Sequence, residues 1–306
     1  MINAIVTIPP YAPFIKEVLA QPIVSGIRLN TVMPFQEPLE ILVGRLSNEA
    51  KSFGKQLWID LKCRQLRVKT FGVPPFTEIE LTHNIEVNTP VKAYFSDGEE
   101  SAMILKVKDN KLIMQDGPKR VVGPGESVNI IDPSLKVKDY FTALDKDYIS
   151  AAMKVGVHNY MLSFVESQTD IDSLYKLDSD ANIIAKIESE KGLGYVRNDW
   201  DKKTHLMAAR GDLYVESRLP HQIIRNTELI VKTDSGAFVA SRIFNSLSRS
   251  LEPSCSDIGD VDNLMRMGYE TFMLGDDICQ KRDSVISGLN LLSAMANYHE
   301  GPKIFW

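Results

Sequence analysis

Eight short apolar, β-rich runs punctuate the 306-residue sequence, and a helix-forming segment follows each of them, with one long interruption. The runs cover residues 3–8, 23–29, 56–61, 159–164, 182–186, 205–209, 237–241 and 271–274. Pro9 and Pro10 stop the first. Between them, residues 37–53 carry Leu39, Leu42, Val43 and Leu46 on one helical stripe, which Gly54 terminates. Further helices are predicted over residues 13–19, 145–155, 170–177, from about 191, about 220–231, 257–267 and 283–298. A strand returning parallel to its neighbour needs a crossover, and a helix is the usual one, so this alternation demands a parallel sheet covered by helices. Eight such units are the count of a closed (β/α)8 TIM barrel, an α/β fold. There is no internal repeat, low-complexity tract or coiled-coil heptad.

The interruption follows the third strand. From about Val68 to Pro133 helical spacing disappears, and short β-type runs (91–95, 103–107, 112–114) alternate with Asp97-Gly98, Asp109-Asn110 and Asp116-Gly117-Pro118. Such dipeptides between alternating runs are hairpin turns. The expected organisation is a TIM-barrel catalytic domain, residues 1–67 and 134–306, with an inserted β-barrel-like lid domain over residues 68–133.

Composition removes several classes of function. A net charge of −5 leaves no broad basic face for nucleic acid. No apolar run approaches the roughly 20 residues that span a bilayer, and residues 1–10 lack the cationic segment of a secretory signal. Cys63, Cys255 and Cys279 are odd in number and lack metal-type spacing, the usage of a reducing compartment. A cytoplasmic protein without membrane or nucleic-acid partners is expected. His83, His158, His205 and His221 have no Cys or His partner at ligand spacing and read as structural.

Two successive strands end in charge. Residues 182–188 close on Lys186 and Glu188, and residues 205–216 contain Arg210, Gly211 and Asp212. Strand ends that carry two carboxylates, a lysine and an arginine to one rim can hold a divalent metal and an anionic substrate. The plainer alternative is a pair of solvated strand ends; two in succession, with a glycine beside the second, favour a site.

These segments resemble the pyruvate kinase family. The match rests on Ile-Ile-Ala-Lys-Ile-Glu-Ser-Glu-Lys-Gly-Leu (183–193) and Met-Ala-Ala-Arg-Gly-Asp-Leu-Tyr-Val-Glu (207–216). Arg28-Leu29-Asn30, Asp60-Leu61-Lys62, Leu162-Ser163-Phe164-Val165, residues 253–260 and Met273-Leu274-Gly275 support it, in family order. The insertion falls where the family has its lid, and the family's C-terminal regulatory domain has no counterpart, so a short, unregulated form is expected. The resemblance implies Glu188 and Asp212 as ligands of Mg or Mn, and Lys186 as the cation facing the transferring phosphoryl group. It implies backbone amides around Arg210, Gly211 and Asp212 for the substrate carboxylate, and Ser241, in place of a threonine, for the proton relay to the enolate carbon. Arg28 and Arg67 would contact phosphates. Read from the residues alone, Lys62 is equally a rim cation for substrate or a surface lysine. Asn30 and Asp60 would be partial ligands of a monovalent cation.

Departures from the pattern cluster on one side. Val32 and Met33 stand where the family has a small hydroxyl residue and a His, and Leu61 replaces a Thr that would complete a K+ site. Cys63-Arg64 replaces Gly-Pro, Tyr214 replaces a Gly, Glu126 a lid Lys, and Arg242 a Gln. The metal and enolate half is retained while the nucleotide and K+ half is eroded, so K+ activation is not expected. The leading expectation is a pyruvate kinase-like phosphotransferase converting phosphoenolpyruvate and ADP to pyruvate and ATP. The alternatives are a metal-dependent, enolate-forming lyase or aldolase acting on a 2-oxo acid without nucleotide, and a non-catalytic paralogue. A homo-oligomer is expected in each case.

Overall fold

The computed structural model describes residues 1–96, 98–217 and 219–301; Asp97 of the expected Asp97-Gly98 turn lies outside them. The eight strands are β1 (Asn3–Thr7), β2 (Val24–Asn30), β3 (Gln56–Leu61), β4 (Asn159–Leu162), β5 (Asn182–Ile187), β6 (His205–Ala209), β7 (Phe238–Ala240) and β8 (Thr271–Leu274). They form a closed parallel barrel in which each strand pairs with its sequence neighbour and β8 returns to β1. The (β/α)8 expectation is met.

Alternation along each strand divides the side chains between two environments. On β5, Ile183, Ala185 and Ile187 face the helices, while Ile184 joins Ile5, Trp58, Met161, Met207 and Met273 in the barrel interior. Lys186 is the next inward position after Ile184. On β3, Leu57, Ile59 and Leu61 pack outward and Trp58 inward, so Asp60 follows inward. On β2, Ile27 and Leu29 pack outward, leaving Arg28 and Asn30 to the interior. The same period that fills the barrel with apolar groups at its base therefore delivers charge at its C-terminal mouth.

The helices α1 (Ile15–Leu19), α2 (Leu39–Ser52), α3 (Ala143–Lys154), α4 (Gln168–Tyr175), α5 (Glu190–Asn198), α6 (Arg210–Glu216), α7 (Gln222–Thr233), α8 (Cys255–Met267), α9 (Asp276–Cys279) and α10 (Arg282–Glu300) connect the strands. The strands predicted over 159–164 and 237–241 end early because Phe164 (φ 49°) and Ser241 (φ 70°) take left-handed conformations that end extended pairing. Helix α6 has seven residues that begin directly at the end of β6, at the helix start that the resemblance implies for Arg210, Gly211 and Asp212.

Residues between β3 and α3 build a five-stranded antiparallel sheet in the order Glu78–Glu80, Lys111–Met114, Glu100–Lys108, Val91–Phe95, Val128–Ile130. It encloses its own apolar core, which includes Ile79, Phe95, Ile104, Leu112 and Val122; Leu66, just ahead of the expected boundary, packs there too. Asp145 ties the insertion's root to the barrel. Its carboxylate accepts the amides of Lys62 at 2.8 Å and Cys63 at 3.0 Å, and it forms a capping box with Thr142 at the start of α3. Asp145→Ala removes the box and strands two buried amides, so urea denaturation is expected to show a loss of roughly 2–4 kcal/mol.

Candidate active site

The barrel mouth holds a buried charge cluster built around Asp60. One carboxylate oxygen accepts Arg28 Nε at 2.7 Å and lies 3.1 Å from Lys62 Nζ; the other is 3.3 Å from Lys186 Nζ. Burial alone would raise the Asp60 pKa, but Arg28, Lys186 and Lys62 hold the carboxyl well below its ordinary range. Lys186 Nζ also meets Ser163 Oγ at 2.9 Å and Glu188 Oε1 at 3.2 Å. Burial works against its charge, yet Asp60 and Glu188 outweigh that and raise its pKa, so Lys186 is a fixed cation. Lys62 differs: burial, with repulsion from Lys186 and Arg28, overcomes Asp60 and takes it down to about 7.

Of the remaining predicted residues, Glu188 and Asn30 adjoin this cluster. Glu188 Oε2 accepts the Phe164 amide at 2.7 Å, which fixes the carboxylate beside Lys186. Arg28 reaches Thr7 at 2.8 Å and Asp276 at 3.1 Å, and the Asn30 amide donates to both Asp276 oxygens. Asp212, on the first turn of α6, accepts Gln65 at 2.8 Å and Asn129 at 3.0 Å. Both donors come from the lid or its root. Arg67 is tied to Gln65 Oε1 and to the Gly125 carbonyl, so it braces the amide that holds Asp212.

Arg210 points elsewhere. Its guanidinium makes two bonds to Asp260, at 2.8 and 2.7 Å, and one to the Ser241 carbonyl at 3.0 Å. It positions the loop after β7, with its Nε a buried donor that finds no partner among the described residues. That loop brings Ser241 against Gly211, where a methyl group would come within 3.3 Å of Ser241 Oγ, a tight fit that favours glycine. Arg242 stacks on Tyr214, its guanidinium carbon 4.4 Å from the ring centroid.

Sequence reasoning missed Gln65, Asn129, Asp276 and Ser163 as members of the cluster. Ser163 and Asp276 follow strand ends that were already singled out, so position alone could have found them. Gln65 and Asn129 carried no signal, because only the folded insertion brings residues so far apart in sequence onto Asp212.

Glu216 lies one helical turn beyond Asp212 and accepts Asn129 at 3.0 Å. Burial, against this hydrogen bond and with help from Asp212 and Glu166, drives its carboxyl up to about 8 from an ordinary 4.5. The folded state therefore holds this proton more tightly than the unfolded chain. Its stabilising contribution is complete below pH 4.5 and lost as pH rises through about 8. Melting curves across that window should show a loss of as much as about 5 kcal/mol that Glu216→Gln removes.

Similarity to known proteins falls on this same region. Residues 73–281, over half of the chain, match the model of the pyruvate kinase barrel domain. The pyruvate kinase of Debaryomyces hansenii is 29% identical over 199 residues, spanning 60% of this chain and 38% of that protein. The pyruvate kinase of Borreliella burgdorferi is 26% identical over 203 residues, 63% of this chain and 42% of its own length. That of Thermoplasma acidophilum is 31% identical over 144 residues, 44% of this chain and 26% of the relative. The chain thus covers well under two thirds of the length of these relatives. With the family's barrel matched and a lid inserted after its third strand, this chain belongs to the pyruvate kinase family.

Proposed function

We propose that the chain catalyses divalent-metal-dependent phosphoryl transfer from phosphoenolpyruvate to ADP, giving pyruvate and ATP. The observation that carries this reading is Lys186: a buried, fixed cation 3.2 Å from Glu188 at the mouth of the barrel. Phosphoryl transfer needs positive charge around the moving group rather than covalent help from the protein, and a desolvated lysine supplies it.

The residues fit Mg or Mn. Glu188 and Asp212 offer only oxygen donors, the preference of hard cations. Around them three cations (Arg28, Lys62, Lys186) face four carboxylates (Asp60, Glu188, Asp212, Asp276), and Lys62 is only partly charged near neutrality. A divalent ion offsets that excess of negative charge. Bound there, it supplies a Lewis acid for the enolate oxygen and charge neutralisation for the phosphoryl group. The chain's own groups do the rest. Lys186 and Arg28 orient and neutralise the phosphoryl oxygens, and Lys62 adds a rim cation. The first-turn backbone of α6 receives the substrate carboxylate, and the Ser241 hydroxyl passes a proton to the enolate carbon. The insertion, residues 68–133, acts as a lid that excludes water, with Gln65 and Asn129 releasing Asp212 when the ion is held. Independence from K+ is supported by Asp60, already ringed by three cations, and by Asn30, whose amide is turned to Asp276. We further propose a cytoplasmic homo-oligomer; three free thiols and the exposed Ile258 and Tyr298 on outer helices support this.

One observation favours a second reading, enolate chemistry on a 2-oxo acid without nucleotide. Glu126 in the lid binds Arg120 at 2.8 Å and so neutralises a cation that could meet a nucleotide phosphate. Lactate dehydrogenase-coupled turnover separates the two. The proposal expects pyruvate from phosphoenolpyruvate with a nucleoside diphosphate and Mg or Mn. Absence of pyruvate with every diphosphate, together with solvent deuterium exchange into pyruvate, would establish the second reading instead.

A further inference from the structure

The base of the barrel, opposite the charged mouth, carries a second cluster of ligand-type side chains. His158 stands just before β4, and Asp178 and Asp180 lie in the turn that connects α4 to β5. The His158 carbonyl accepts the Asn182 amide at 2.7 Å, so the entries to the two strands are side by side. Spacing along the chain gives His158 no metal partner, yet the fold gives it two carboxylates. A ring nitrogen of His158 and one oxygen each of Asp178 and Asp180 lie within 4.8 Å of one another. Ligands about 2.2 Å from one ion sit at most about 4.4 Å apart, so a small swing of the exposed Asp180 side chain closes the set. Asp178 is 2% exposed, yet among the described residues it meets no lysine or arginine. Its carboxylate is aimed by the buried Tyr160, whose hydroxyl donates to Oδ2 at 2.9 Å. Metal-binding carboxylates are held by outer hydrogen bonds of this kind. His158 Nδ1 lies 2.9 and 2.8 Å from the two Asp178 oxygens, so ring and carboxylate already converge. Among the described residues the Asp180 carboxylate has no hydrogen bond or ion pair. Two carboxylates and an imidazole thus share one spot with no lysine or arginine to offset them.

We propose that His158, Asp178 and Asp180 bind a zinc ion that ties the turn between α4 and β5 to the start of β4. The donor set selects the metal. An imidazole with two carboxylates suits zinc, whereas magnesium and calcium prefer oxygen alone. Glu188 and Asp212 at the mouth offer only oxygen, so the two ends of the barrel differ in the ion they favour. Roughly 20 Å of β5 separates the cluster from Glu188. The base of a (β/α)8 barrel serves stability while its mouth serves chemistry, so the zinc acts as a staple, whichever reaction the barrel performs.

Calorimetric titration of the full chain with zinc chloride, in excess magnesium, tests this. Zinc is expected to bind in Glu188→Gln as tightly as in the wild type, because that change lies at the other end of the barrel. Asp180→Asn, at an exposed position that the fold does not need, should weaken zinc binding about tenfold or more, and His158→Gln should do the same. Zinc should raise the melting temperature of the wild type, but not that of Asp180→Asn at the same concentration. Hydrogen exchange in residues 176–182 should slow when zinc is added. No binding at submillimolar zinc, or equal affinity in the wild type, Asp180→Asn and His158→Gln, would overturn the proposal. So would zinc binding that is lost in Glu188→Gln and kept in Asp180→Asn, or saturation that leaves exchange in residues 176–182 unchanged.

Discussion

Lys186→Met is expected to lower turnover by about 10³-fold or more while the barrel still folds. The reasoning starts from position. Lys186 is the last inward side chain of β5, and its ammonium is shared among Asp60, Ser163 and Glu188. Methionine matches the length of the stem but supplies no charge, so the phosphoryl group would lose a cation that water cannot replace in a closed site. Stability should fall by roughly 3 kcal/mol, because Glu188 keeps the Phe164 amide but loses its ion pair. Circular dichroism and urea denaturation check the fold, and the coupled assay checks turnover. Wild-type turnover in a folded Lys186→Met variant would remove Lys186 from the chemistry.

Asp60→Asn is expected to give the largest loss of stability of any single change at the site, roughly 3–5 kcal/mol. Asp60 is fully buried and touches Arg28, Lys62 and Lys186. An amide of the same shape leaves those cations facing one another with no central anion. Lys62 is the softest of the three, already taken down to about 7, and should lose its proton first. Adding Lys62→Met to Asp60→Asn should therefore recover part of the loss. In a double-mutant cycle the two changes should couple by more than about 1 kcal/mol. Additive effects would show that Asp60 and Lys62 do not share one electrostatic network.

How much of this was written in the sequence differs between layers. The barrel was legible because eight apolar runs alternate with helices, and local periodicity survives folding. The charged positions were legible for the same reason: Arg28, Asp60, Lys186 and Glu188 interrupt apolar runs where a fully buried strand has no other use for charge. Strand ends were less legible, since the left-handed turns at Phe164 and Ser241 are imposed by tertiary packing on residues that do not announce them. The insertion was readable as β structure, but not its contact with the barrel. Asn129 and Gln65 meet Asp212 across 83 and 147 positions of sequence, and no local pattern encodes such an encounter. Arg210 shows the opposite limit. A motif placed it at the site, yet its guanidinium serves Asp260 and the Ser241 carbonyl, a distinction that only geometry makes.

The central claim is that Glu188 and Asp212 together hold a divalent ion at the mouth of the barrel. Titration with manganese in the presence of oxalate, followed by electron paramagnetic resonance, tests it most directly. The expected result is one ion per chain, with affinity reduced about tenfold or more in Asp212→Asn and again in Glu188→Gln. Manganese that fails to bind the folded wild-type chain, or binds both variants as tightly as the wild type, would contradict it.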